Sequence, residues 1–187
     1  LLASAPLRVR QPVEAANLSY KGDWAETQQL LQERARIWEQ GRESAARLLN
    51  SELSRFLLET KVRDGDKMVG LLITDRYGAL VAASSEPDHY FLSHEPWWEA
   101  LQAGELDRVY ISGVIPGQEG SFRTPEETID IAVPILDDHQ HAVIGAIKAS
   151  YRFDSLFAMI KEIRIGQTGH AMLFDAAGEP LVCPILP

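Results

Sequence analysis

Lys148 and Ser150 stand two residues apart in the apolar run Ala142 to Tyr151, and side chains two apart on a strand point to the same face. If Ser150 faces a covered site, Lys148 faces it too. A buried ammonium is costly without a counter-charge, so there it needs an anionic ligand or a protein carboxylate. A small organic anion held by Lys148 and Arg123 is the ligand this pattern suits. The other placement open to Lys148 is the solvated face of the sheet, where lysines usually lie.

Trp97 and Trp98 are neighbours on a short helical segment, about 100° apart, so they cannot both face one site. One is expected in the core and the other on a cavity wall, as aromatic side chains often are in small-ligand pockets. Tyr110, on an expected strand, has the same two readings. Catalytic patterns are wanting. His139-x-His141 lies in a polar turn with no third metal ligand nearby. Gly113, Gly117 and Gly120 precede no Gly-Lys-Ser/Thr. Cys183 is the only cysteine and has no matched base. Glu126-Glu127 and Asp137-Asp138 read as surface charge. Binding without catalysis, cofactor or metal is the expectation.

The elements that must position these residues are legible from periodicity. Between Asp23 and Thr60, apolar residues such as Leu31, Trp38, Ala45, Leu49, Leu53 and Phe56 recur at helical spacing without a proline. That pattern predicts one helix of about 38 residues, about 57 Å long, with two shorter helices broken near Gly41 as the alternative. Met68–Ile73 and Leu80–Ala83 flank the turn Asp75-Arg76-Tyr77-Gly78 and predict a hairpin. Pro96–Gly104 is a short helix with proline at its start. Arg108–Val114, Thr128–Leu136 and Ala142–Tyr151 are strands. Asp154–Ile163 is an amphipathic helix with Leu156, Phe157, Ile160 and Ile163 turned inward. Near the end, Leu173-Phe174-Asp175-x-x-Gly178 repeats the pattern of Ile73-Thr74-Asp75-x-x-Gly78, so a second, similar module is expected to start there.

Composition bounds the function. Of 187 residues, 45% are hydrophobic and 24% charged, the balance of a globular protein with a core. A net charge of -9 repels polyanions and argues against nucleic-acid binding. A single cysteine excludes an internal disulfide. No apolar run approaches the ~20 residues of a membrane helix. The opening at Leu1, without a signal segment, reads as a piece of something longer.

Taken in order, Leu72-Ile73-Thr74-Asp75-x-x-Gly78, Trp97-Trp98-x-Ala100, Ala132-Val133-Pro134-Ile135-Leu136-Asp137, Val143-Ile144-Gly145-Ala146 and Ile165-Gly166-x-Thr168-Gly169-His170-Ala171 resemble the double Cache domain. This is the PAS-like extracytoplasmic sensor of bacterial and archaeal histidine kinases and chemoreceptors. The resemblance implies an α+β fold: a long N-terminal helix region (1–62) packed on a central antiparallel sheet in a membrane-distal sensor module (63–165), then the truncated start of a second module (166–187). It implies a periplasmic or extracellular domain of an inner-membrane protein and a small-molecule ligand; the wide apolar stripe of the long helix is compatible with homodimer pairing. Ligand residues would be Tyr90, Trp97, Trp98, Tyr110, Arg123, Lys148 and Ser150. The Arg of the family's amino-acid-binding motif falls on Glu95 and its Asp on Ser150, which argues against an amino-acid ligand. A cytoplasmic PAS- or GAF-like regulatory module is the competing reading.

Overall fold

The computed structural model describes residues 6–40, 42–104, 109–122, 124–139, 142–166, 169–174, 178 and 180–182. The chain is α+β. Helices α1 (Leu7–Leu18), α2 (Trp24–Gln40), α3 (Arg42–Leu49) and α4 (Glu52–Asp64) precede a short 3-10 turn and the hairpin β1 (Met68–Asp75) and β2 (Leu80–Ala83). Helix α5 (Pro96–Ala103), β3 (Tyr110–Ile111), β4 (Thr128–Leu136), β5 (Val143–Arg152) and α6 (Phe153–Glu162) follow. Four short strands come last: β6 (Arg164–Ile165), β7 (Gly169–His170), β8 (Leu173–Phe174) and β9 (Pro180–Val182).

Strands β1 to β5 form one antiparallel sheet in the order β2-β1-β5-β4-β3. Alternation divides its residues between two cores. On the front face, Leu72, Ala132 and Ala146 pack under Trp38, Leu92, Trp97, Trp98, Leu101 and Phe122. On the back, Leu71, Ile73 and Ile135 meet Val9 and Val13 of α1 and Leu53 and Leu57 of α4. The sheet is therefore covered on both sides.

This two-sided cover overturns the expected single rod. Most of the described residues from Trp24 to Thr60 are helical, but α2 ends at Gln40 and α3 starts at Arg42, with Gly41, where the alternative placed a break, outside the described residues; α3 ends at Leu49 and α4 starts anew at Glu52. Ser51 caps the new helix, its Oγ accepting from the Ser54 N–H at 3.2 Å. Trp38 and Ala45 belong to the front core, Leu53 and Leu57 to the back. One straight helix cannot bury residues on opposite faces of a sheet, so the chain breaks where it rounds the edge at β2. Helix α1, which the periodicity did not signal, shares the back with α4.

The first hairpin turns as expected. Asp75 Oδ1 accepts from the Tyr77 N–H at 2.8 Å and the Ala79 N–H at 3.0 Å, and Gly78 takes φ 83°. Gly178 takes φ 85° between β8 and β9, which pair antiparallel; Asp175 lies outside the described residues. The strand expected over Arg108–Val114 is shorter, Tyr110–Ile111. Ile163, expected to face inward from α6, is exposed. Among the described residues no helix is long and apolar enough to cross a membrane.

Candidate ligand-binding site

On the front face, β5 presents Ala146, Lys148 and Ser150, and all three are buried. The ladder sets their neighbours. Ser150 stands between Gly70 of β1 and Asp130 of β4, and Lys148 between Leu72 and Ala132. Beyond Ala132 comes Tyr110 of β3. Lys148 is therefore diagonal to Asp130, within reach of a long side chain.

The Lys148 Nζ lies 2.6 Å from Asp130 Oδ2, with the side chains 0% and 4% exposed. The same ammonium donates to Ser121 Oγ at 2.7 Å. Ser150 Oγ donates to Asp130 Oδ1 at 2.6 Å. Ser121 in turn donates to Glu95 Oε1 at 3.1 Å, and the other Glu95 oxygen accepts from Trp97 Nε1 at 3.2 Å. The result is one connected chain, Ser150–Asp130–Lys148–Ser121–Glu95–Trp97. It runs from the floor of the sheet to the residue that opens α5. Two aromatic rings flank the ammonium, with the Trp97 centroid at 5.8 Å and that of Phe122 at 5.9 Å, within cation–π range.

Glycine makes room for this arrangement. A Cβ on Gly70 would fall 2.6 Å from the Phe122 ring, so Phe122 can lie down on β1 only because that position has no side chain. Tyr110 is half-buried beside the cluster. Burial, reinforced by the Asp130 and Glu95 carboxylates, pushes its hydroxyl above the usual tyrosine range.

The solvated placement of Lys148 is thus replaced by a buried one, and its counter-charge is a protein carboxylate. Lys148, Ser150 and Trp97 join the cluster, with Tyr110 beside it. The two indoles meet edge to face at 5.7 Å and turn to different surroundings: Trp98 packs in the core and reaches a groove near α2. Tyr90 stands apart, its ring 6.0 Å from Trp38 and its hydroxyl bonded to Arg34. Arg123 lies outside the described residues, as does His141 of the His-x-His pair. Among the described residues no three His, Cys, Asp or Glu converge on a metal position.

Three participants were missed from the sequence: Asp130, Ser121 and Glu95, the last read only as the position where the family's Arg is absent. Asp130 left a signal, a lone acid in the apolar strand Ile129-Asp130-Ile131-Ala132-Val133. It also occupies the ladder position opposite Ser150, so the acid absent from β5 is supplied by the neighbouring strand.

No family model matches the sequence, and no curated protein does. Solved structures similar to it include three bacterial chemoreceptor ligand-binding domains. One is from CtaA of Pseudomonas fluorescens in complex with L-isoleucine, 15% identical, over 94% of this chain and 65% of that one, with a TM-score of 0.47. The second is from PctC of Pseudomonas aeruginosa PAO1 in complex with GABA: 16% identity, 84% and 73% covered, TM-score 0.46. The third is from Tlp3 of Campylobacter jejuni in complex with 4-methylisoleucine: 12% identity, 94% and 66% covered, TM-score 0.47. The chain spans about two thirds of the length of these structures.

Proposed function

We propose that this chain is the small-molecule sensor domain of a transmembrane signalling receptor, a chemoreceptor or histidine kinase, working in the periplasm or outside the cell. The observation that carries the reading is the buried ion pair of Lys148 and Asp130 on the front of the sheet. A core built for stability alone places apolar side chains there, because a buried pair is often no better than well-packed hydrophobics. Here two charges, two hydroxyls and a second carboxylate converge under a roof made by one short helix and a loop.

The charges favour a ligand different from the bare organic anion suggested by Lys148 and Arg123. Such an anion meets Asp130 and Glu95 at the same place. A zwitterion matches better: its carboxylate replaces Asp130 at the Lys148 ammonium, and its ammonium replaces Lys148 at Asp130. Each protein charge exchanges one partner for another, so none is left unpaired. The objection to amino acids raised by Ser150 loses force, since Asp130 provides the acid.

Function is then a population shift between a closed state with the pair intact and an open state with ligand inserted. Glu95 ties the cluster to α5, so opening moves the roof. The reading includes membrane anchoring in the full-length protein, a second module starting near residue 166, and homodimer pairing through the N-terminal helical region. The dimer can no longer rest on one long rod.

Thermal shift against amino acids, amines and organic acids tests the proposal. A ligand at a hundred times its dissociation constant stabilises by about 2.7 kcal/mol, and Asp130→Asn and Lys148→Met should each abolish that gain. A ligand that stabilises both variants as well as the parent, or a panel without effect, ends it.

A further inference from the structure

A concavity away from the ion pair lies where the start of α2 approaches α5 and the β1–β2 turn. Its volume is about 310 Å³, at the small end of small-molecule pockets, which span roughly 300–1,000 Å³. The walls are aromatic: Trp24 from α2, Tyr77 from the turn, Phe91, and Trp98 from α5. Between them come Gln28 and Gln32 of α2 and Gln102 of α5.

The pattern follows from helical spacing. Trp24, Gln28 and Gln32 succeed one another at i, i+4 and i+8 on α2, and Trp98 and Gln102 at i and i+4 on α5, so each helix turns one ring and its amides to the same side. All three amides are solvent-exposed, and none has a hydrogen-bond partner among the described residues, so each is free to meet a ligand. Arg76 also lines the groove and no Asp or Glu does, although the chain carries a net charge of -9.

The turn that supplies Tyr77 and Arg76 is held firmly. Asp75 accepts hydrogen bonds from the Tyr77 and Ala79 N–H groups and from the Tyr20 hydroxyl. Asn17 Oδ1 accepts from the Arg76 N–H at 3.1 Å. Tyr77 is braced by the Tyr20 ring at 4.9 Å and faces Trp24 at 5.5 Å. The Tyr77 side of the groove is therefore in place before any ligand arrives, which spares part of the ordering cost of binding.

We propose that this groove is a second ligand site and that it takes a saccharide ring. Primary amides offer a donor and an acceptor side by side, the match for neighbouring hydroxyls on a pyranose. The apolar C–H face of such a ring lies flat on an indole or phenol. A cationic ligand finds no carboxylate in the groove and meets Arg76 instead. A simple anion has one solvent-exposed guanidinium and makes no use of three amides. A sugar engages rings, amides and guanidinium together.

The site adjoins the buried cluster through the Trp97–Trp98 contact, so sugar binding has a direct packing route to the ion pair. The proposal does not depend on that pair being a ligand site.

The test is titration of the purified chain with glucose, galactose, mannose, N-acetylglucosamine, glucuronate and maltose at millimolar concentrations, read by tryptophan fluorescence and calorimetry. At least one sugar should bind and change the emission. Trp24→Ala, at a position 55% exposed and so tolerant of truncation, and the double variant Gln28→Ala/Gln102→Ala should each weaken binding at least tenfold. Asp130→Asn should still bind the sugar, which separates this site from the buried one. No sugar binding, or binding indifferent to both groove variants, overturns the proposal. So does binding lost in Asp130→Asn while both groove variants keep it.

Discussion

An ammonium shut away from water needs its counter-charge within reach, and Lys148 finds it on the next strand at Asp130. Removing either partner leaves the other buried and uncompensated, a loss of roughly 3–5 kcal/mol. Asp130→Ala and Lys148→Ala should each lower stability by about that much in urea unfolding. The double replacement Asp130→Leu/Lys148→Met should recover most of it. Single variants within about 1 kcal/mol of the parent would mean that water reaches the pair. The shared face of Lys148 and Ser150 was legible from strand alternation alone. Their partner was not, because which acid stands across from Ser150 depends on the β4–β5 register, and nothing local to either strand declares it.

Asp75 allows a pH test at the same scale. Burial pushes its carboxyl above the ordinary aspartate range, against hydrogen bonds from Tyr20, Tyr77 and Ala79 that pull the other way. The folded protein thus holds this proton to higher pH than the unfolded chain. The contribution of Asp75 to stability is greatest below the unfolded value, near 4, and is lost as pH rises through the folded value. Asn has no such proton. The stability of the parent minus that of Asp75→Asn should therefore fall as pH climbs from about 4. A difference that is flat or rising refutes the shift.

Elements were recovered where one periodicity served one core. The hairpin, β4, β5, α5 and α6 lie within a residue or two of their expected positions. The break between α3 and α4 was hidden because the apolar stripe continues through it while its destination changes from the front core to the back. Asn50-Ser51-Glu52 was the available signal: a capping residue followed by an acid in the first turn. Ser51→Ala should lower stability by about 1 kcal/mol, and Ser51→Gly by only a few tenths. No loss in either variant would show that the cap bond from the Ser54 N–H contributes nothing. Helix α1 escaped notice because its apolar face is thin. Val9 and Val13 are its only buried hydrophobics among the described residues.

At the scale of the whole molecule, the sheet separates a front layer that holds the polar cluster from a back layer built of α1 and α4. Ligand-induced opening should therefore be lopsided. In the proposed mechanism, hydrogen exchange is expected to change on ligand addition in α5, around Ser121 and along β4 and β5, while α1 and α4 stay as they were. Protection spread evenly over both layers would point to general stabilisation without movement of the roof.

In the proposed site the Lys148 ammonium already sits against Asp130, so a ligand there would compete with a rival that is tethered to the same chain and never diffuses away. Were the closed form 99 times more abundant than the open one, the apparent dissociation constant would be about a hundred times the intrinsic one. The concentration at which such a detector answers is then set as much by the grip of Lys148 on Asp130 as by anything the ligand touches. Evolution could retune its range by loosening or tightening that grip and leave the recognition surface alone.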